Sequence, residues 1–141
     1  MKFFQLTSPA HLFQKLEADF VAMSAAASDA SLAFNFLVTA EHLPDWLHQR
    51  GLVKANGILR IVSHLANGAK HFSLDPKRHK SVTATSLDTY AEDYAEPGYF
   101  EELLLVHLSE NEAREFGAAT VSTTVLGTMV LDFWRPYVPG A

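Results

Sequence analysis

Three groups of polar residues carry spacings that chemistry can use. Glu41, Asp45 and His48 recur at i, i+4 and i+7, so on a helix they project from one face. Arg60, His64, Asn67 and His71 form a second stripe at i, i+4, i+7 and i+11. A third group, Asn35, His42 and Trp46, lies between the apolar and polar sides of the first of these helices. Carboxylate and imidazole are the ligands that hold zinc, manganese or iron between bundle helices. Glu41, Asp45, His48, His42 and His64 are therefore the candidate ligands for a divalent transition metal. Imidazole also titrates near neutrality, which makes His42, Asp45, Arg60, His64, Asn67 and His71 the candidate polar site for acid–base work. The plainer reading is a solvated, hydrogen-bonded helix face that needs no cofactor.

Complete motifs are missing. Neither stripe contains His-Glu-x-x-His or Glu-x-x-His, and Gly51, Gly57 and Gly68 make no phosphate-binding loop. No serine stands in a nucleophile elbow, and the chain has no cysteine for a disulfide, thiolate site or thiol nucleophile.

The elements that position these residues follow from periodicity and capping. Ser8 is a good N-cap, Pro9 suits the first helical position, and Leu12, Phe13, Leu16, Phe20 and Met23 predict a helix over about 9–27. With Ser28 or Asp29 as cap, a second helix is expected over 30–50, stopped by Gly51. Leu32, Phe36, Ala40, Leu43 and Leu47 form its core face. Phe34 and Val38 lie opposite, so this helix is either central in the bundle or part of a subunit interface. Pro44 removes one backbone bond and should bend it.

A third helix is expected over 56–72, capped by Asn56 and ended by Leu74-Asp75-Pro76, with Gly68 as a packing residue inside it. The texture then turns β-branched. Strands are expected over 81–87, 102–108 and 114–116, with Glu96-Pro97-Gly98 as a turn. Residues 120–135 are ambiguous: threonine, valine and Gly127 favour strand, whereas Val121, Val125, Met129 and Phe133 repeat at i, i+4 and favour helix. Helix is the reading adopted. The expected fold is mainly α (α+β): a small helical bundle with an antiparallel β-meander inserted before the C-terminal helix, all in one domain spanning 1–141.

Between helices 30–50 and 56–72 the connection is short, so the two should pack antiparallel. His42 and His64 then come to one level, whereas His42 reaches His71 only across a bend at Pro44. Either pair, joined by Asp45 or Glu41, would make a metal credible.

Composition bounds the rest. With 48% hydrophobic and 19% charged residues over 141 positions, the chain can bury a sizeable core. Net charge is −5, which argues against tight nucleic-acid binding despite Lys70, His71, Lys77, Arg78, His79 and Lys80. An acidic neighbourhood, Asp88, Glu92, Asp93, Glu96, Glu101 and Glu102, can face that basic one across a dimer. The broken apolar run after Met1-Lys2 is no secretory signal, and no stretch is long enough to cross a bilayer. A cytoplasmic protein is expected.

The segment Phe34-Asn35-Phe36 … Thr39-Ala40-Glu41-His42-Leu43-Pro44-Asp45-Trp46, followed by Leu65-Ala66-Asn67-Gly68-Ala69-Lys70-His71-Phe72, resembles a group of small uncharacterised bacterial and phage-associated helical proteins. Their shared pattern is a His-Leu-x-Asp-Trp helix followed by an Ala-Asn-Gly/Ala-x-Lys-His helix. The resemblance spans about residues 34–72 and implies a fold neighbourhood but no activity. More distantly the chain resembles HEPN-type bundles, whose ribonuclease members use an arginine and a histidine. Arg60 and His64, three residues apart inside, and Arg60 and His71, ten apart inside, both depart from that family's spacing.

Two functions stand open. One is a non-enzymatic interaction or oligomerisation domain, a homodimer or the partner of another protein. The other is a metal-assisted hydrolase or HEPN-like ribonuclease using the His42, Asp45, His64 and His71 region.

Overall fold

Local sequence chemistry sets the start of each long N-terminal helix. In the computed structural model, which describes residues 6–71, 81–90 and 101–140, helix α1 spans Pro9–Ala25. The Ser8 hydroxyl accepts from the His11 N–H at 3.2 Å, and Pro9 occupies the first turn. Helix α2, Ala30–Trp46, begins at Asp29, whose carboxylate accepts from the N–H groups of Ser31 and Leu32. Both caps satisfy backbone donors that a helix start otherwise leaves open.

Helix α2 ends at Trp46, four residues before the expected end at Arg50. Pro44 sits within it, buried, and offers no N–H to the carbonyl four residues back. His48 then takes a left-handed backbone conformation with φ 55°, which no continuing helix permits. The turn lets Arg50 fold back onto the helix it was expected to complete. A short helix α3, Gly51–Ala55, and helix α4, Gly57–His71, follow. The side-chain amide of Asn56 donates to the Leu52 carbonyl at 2.9 Å, tying the α3–α4 corner. Helix α4 runs through Gly68 without a break.

The β-meander is antiparallel in the order β1-β2-β3, with β1 at Val82–Tyr90, β2 at Glu101–Leu108 and β3 at Thr120–Ser122. Thr85 pairs with Val106 and Leu87 with Leu104, and β2 continues the sheet through Val106 opposite Val121. A bulge between Val82 and Ala84 shifts the register at the start of β1.

One expected strand is a helix. Residues 114–116 belong to α5, Glu110–Phe116, and the third strand lies further on at Thr120–Ser122. The reason is end chemistry: the Ser109 hydroxyl accepts from the Glu112 N–H at 3.3 Å, and Gly117 closes the helix at φ 92°. The ambiguous tail contains both structures. Ser122 ends β3 and caps α6, Thr123–Trp134, by accepting from the Val125 N–H at 3.1 Å. A 3-10 turn, Arg135–Tyr137, follows.

Helix α2 packs between α1 and α4, and α6 crosses behind them against β2. The core they enclose centres on Phe13, Leu16, Phe36, Leu43, Ile61, Val106, Val130 and Trp134, all at most 2% exposed. At Gly127 an added Cβ would lie 2.8 Å from the Phe20 ring, so glycine is what lets α6 approach α1 this closely. No helix of the described residues is long and apolar enough to cross a membrane. The basic segment 77–80 and the Glu96-Pro97-Gly98 turn lie outside the described residues.

Candidate functional site

The polar stripes of α2 and α4 do not merge into one site. They are divided among three places by which element each side chain meets.

The first place is the outer edge of the α2–α4 pair. Arg50, carried back by the turn at His48, donates from Nε and Nη2 to the two Asp45 carboxylate oxygens at 2.9 and 2.7 Å. Its Nη1 reaches Glu41 Oε1 at 2.7 Å, and Nη2 also donates to the Glu41 carbonyl. The Ser63 hydroxyl donates to Glu41 at 3.2 Å, and Asn67 donates to the Ser63 carbonyl at 2.7 Å. The Arg50 hydrogen bonds hold Asp45 below the usual carboxylate range, and burial opposes them only in part. The pairing with Asp45 and Glu41 in turn raises Arg50. Two candidate metal-ligand carboxylates are thus committed to one guanidinium.

A second place joins α4, α5 and the start of β1. Arg60 donates from Nε and Nη2 to Glu112 at 3.2 and 3.0 Å, from Nη2 also to Glu115, and from Nη1 to the Lys54 carbonyl at 2.6 Å. Glu112 is only 6% exposed and also accepts from the Ser81 hydroxyl at 2.7 Å. Ser81 in turn donates its backbone N–H to His64 Nδ1 at 2.7 Å, and its carbonyl accepts from the Ser109 N–H at 2.8 Å. Because Nδ1 is the acceptor, the neutral His64 ring carries its proton on Nε2. Burial pushes Glu112 up, but the hydrogen bonds from Arg60 and Ser81 and the charge of Arg60 outweigh it, so its carboxyl titrates below the usual range. The Glu112 hydrogen bonds likewise raise Arg60.

The third place is a groove between α1 and α2 with a volume of about 440 Å³. Phe34, Val38, His42 and Trp46 stand at every fourth position of α2 and line it, facing Leu12 and Lys15 of α1. At its base Lys15 donates to Asp19 at 2.6 Å and to the Thr39 hydroxyl at 2.8 Å, and Thr39 donates to Asp19 at 2.7 Å.

His42 and His64 therefore line different clefts. The expected antiparallel pairing of α2 and α4 does not bring them together, because His42 points toward the α1 side whereas His64 is buried against Ser81. His48 is exposed in its turn. The side chain of His71 lies outside the described residues. No group of three or more potential metal ligands gathers among the described residues.

Several residues escaped the spacing argument. Glu112 and Ser81 complete the Arg60–His64 network, and the Ser-x-x-Glu pattern over 109–112 was the signal that places Glu112 on a helix. On the sheet, Ser86 Oγ and His107 Nε2 meet at 2.7 Å. Only the β1–β2 register, Ser86 opposite Leu105 and Ala84 opposite His107, brings these two together, and no sequence spacing announces it. Among the described residues no carboxylate is hydrogen-bonded to this ring. Finally, Thr123 is 6% exposed and its hydroxyl has no hydrogen-bond partner among the described residues.

No protein-family model, curated protein or solved structure matches the chain.

Proposed function

We propose that the chain is a non-enzymatic interaction domain that self-associates through the outer stripe of α2. One observation carries this reading. Phe34 and Trp46 are 43% and 36% exposed on a helix whose Phe36, Ala40 and Leu43 are buried in the core, and Val38 and His42 join them into one continuous line. An aromatic stripe beside a concave groove gives a second copy both a ridge and a place to seat it, and aromatic anchors dominate such contacts. The arrangement is isologous by nature, since each copy offers the same ridge and groove.

The enzymatic alternatives draw less support. Arg60, which a HEPN-like ribonuclease would aim at phosphate, spends its donors on Glu112, Glu115 and the Lys54 carbonyl. A metal site would need Glu41 and Asp45, which Arg50 holds. The cysteine-free composition suits a cytoplasmic setting, and the net charge of −5 suits a protein partner better than nucleic acid.

Sedimentation equilibrium across a wide concentration range tests the proposal. Wild type should fit a monomer–dimer equilibrium, and the double variant F34E/W46E should stay monomeric with an unchanged circular dichroism spectrum. A monomeric wild type, or a double variant that still dimerises, overturns it.

A further inference from the structure

A second concavity lies on the other side of α2, between that helix, α4 and the sheet. Its volume is about 420 Å³, within the roughly 300–1,000 Å³ of small-molecule sites. Its existence follows from side-chain size. Ala33 of α2 and Gly68 of α4 stand where larger residues would close the gap, while Leu37, Leu65, Val82 and Val106 supply apolar walls. Among its described lining residues none is Lys, Arg, Asp or Glu, and the one titratable side chain, His64, accepts at Nδ1 from the Ser81 N–H.

Thr123 lines this cleft as the first residue of α6. Its hydroxyl is buried and unpartnered among the described residues, a state that disfavours the folded protein. Valine would fill the same shape without that cost. The neighbouring hydroxyls do find uses: Ser122 caps α6, and Thr128 donates to the Thr124 carbonyl at 3.2 Å. The Thr123 hydroxyl has no such partner among the described residues.

We propose that this cleft binds a neutral amphipathic small molecule, with its apolar body between α2, α4 and the sheet and a single hydroxyl or carbonyl head toward which the Thr123 hydroxyl, closed to solvent in this structure, rotates on binding. Hydrophobic burial supplies the affinity, and the hydroxyl selects for a head group that can pair with it. This site is separate from the self-association groove, although Phe34 borders both.

Equilibrium dialysis of the full chain against 1-naphthol and against naphthalene separates the two contributions. Both should bind saturably, 1-naphthol about three- to tenfold more tightly, the equivalent of one net hydrogen bond. Thr123→Val should bring 1-naphthol down to the affinity of naphthalene and leave naphthalene unchanged. Ala84→Trp and, as a second rim variant, Thr85→Trp alter exposed positions at the mouth, so both should fold as wild type and weaken both ligands. The proposal is overturned if neither compound saturates below about 1 mM, a binding free energy of only about −4 kcal/mol. It is equally overturned if the rim variants bind as wild type does, or if Thr123→Val leaves the 1-naphthol preference intact.

Discussion

Arg60→Met and Glu112→Gln remove opposite ends of the same contact, and the structure makes their costs unequal. Glu112 is the buried end, 6% exposed, while Arg60 is 26% exposed. Arg60→Met strands a carboxylate inside the α4–α5 junction. Breaking a buried pair in this way costs about 3–5 kcal/mol in general. The Ser81 hydroxyl still donates to Glu112, which places the expected loss near the low end, about 3 kcal/mol at neutral pH. Glu112→Gln leaves Arg60 with Glu115 and the Lys54 carbonyl, and keeps an oxygen that accepts a hydrogen bond. Its loss should be about 1–2 kcal/mol, the worth of one charge-assisted hydrogen bond with partial compensation.

Acid narrows the gap to wild type in both variants, for different reasons. In wild type, Glu112 titrates below its ordinary value of 4.5, so its stabilisation is complete above that pH and is lost as pH falls through the lowered folded value. Wild type and Glu112→Gln should therefore converge in acid. In Arg60→Met the guanidinium is gone and burial dominates, so Glu112 titrates above its ordinary value. That variant gains stability relative to wild type as pH falls from neutrality, because protonation relieves the stranded charge. Urea unfolding followed by fluorescence suits the measurement, since Trp134 is fully buried and reports on the core. A cost for Arg60→Met below about 1 kcal/mol at neutral pH, or a gap to wild type that stays constant down to pH 4.5, would refute the reasoning.

Three further outcomes are expected. His48→Gly should raise the urea midpoint by an amount worth about 0.5–1 kcal/mol, because φ 55° strains any residue with a Cβ; a destabilised variant would mean the imidazole has a role that outweighs the strain. Gly127→Ala should lower thermal stability despite a helix-propensity gain of about 1 kcal/mol, since the new methyl sits 2.8 Å from the Phe20 ring; an increase in melting temperature would show that the α1–α6 contact yields freely. Elemental analysis of protein purified without a histidine tag should find no stoichiometric transition metal, and stoichiometric metal lost in His42→Ala or His64→Ala would restore the hydrolase reading.

Where one residue type settles a local question, the sequence was legible. Ser8-Pro9 and Asp29 mark helix starts because their side-chain oxygens and the missing proline N–H answer a backbone need that is purely local. Legibility failed where a choice depended on distant partners. Arg114-Glu115-Phe116 reads as a strand only if the Ser109 cap and the Gly117 stop are overlooked, and Thr120 joins β3 only because His107 is there to pair with it. The candidate site suffered most. Spacing put Glu41, Asp45 and His48 on one helix face and Arg60 with His64 on another; His48 lies beyond the end of α2, and spacing says nothing about which arginine or serine arrives from elsewhere.

That arrival explains why stripes with the appearance of a metal site serve here as fasteners. Helix α5 has seven residues, too few to be stable on local hydrogen bonds alone. Its Glu112 reaches Arg60 on α4, and Ser81 ties the same carboxylate to the beginning of β1 and to His64. One buried carboxylate thus fixes where a helix, a strand and a short helix meet, across sequence separations of 31 and 52 residues. Arg50 does the same on a smaller scale, bringing the turn after α2 back to Glu41 while Ser63 of α4 shares that carboxylate. In both networks the arginine has several partners, and one carboxylate, Glu41 or Glu112, is more buried than the arginine while the other, Asp45 or Glu115, is more exposed. Outside these two networks stand the α2 aromatic ridge, the Ser86–His107 pair and the Thr123 hydroxyl.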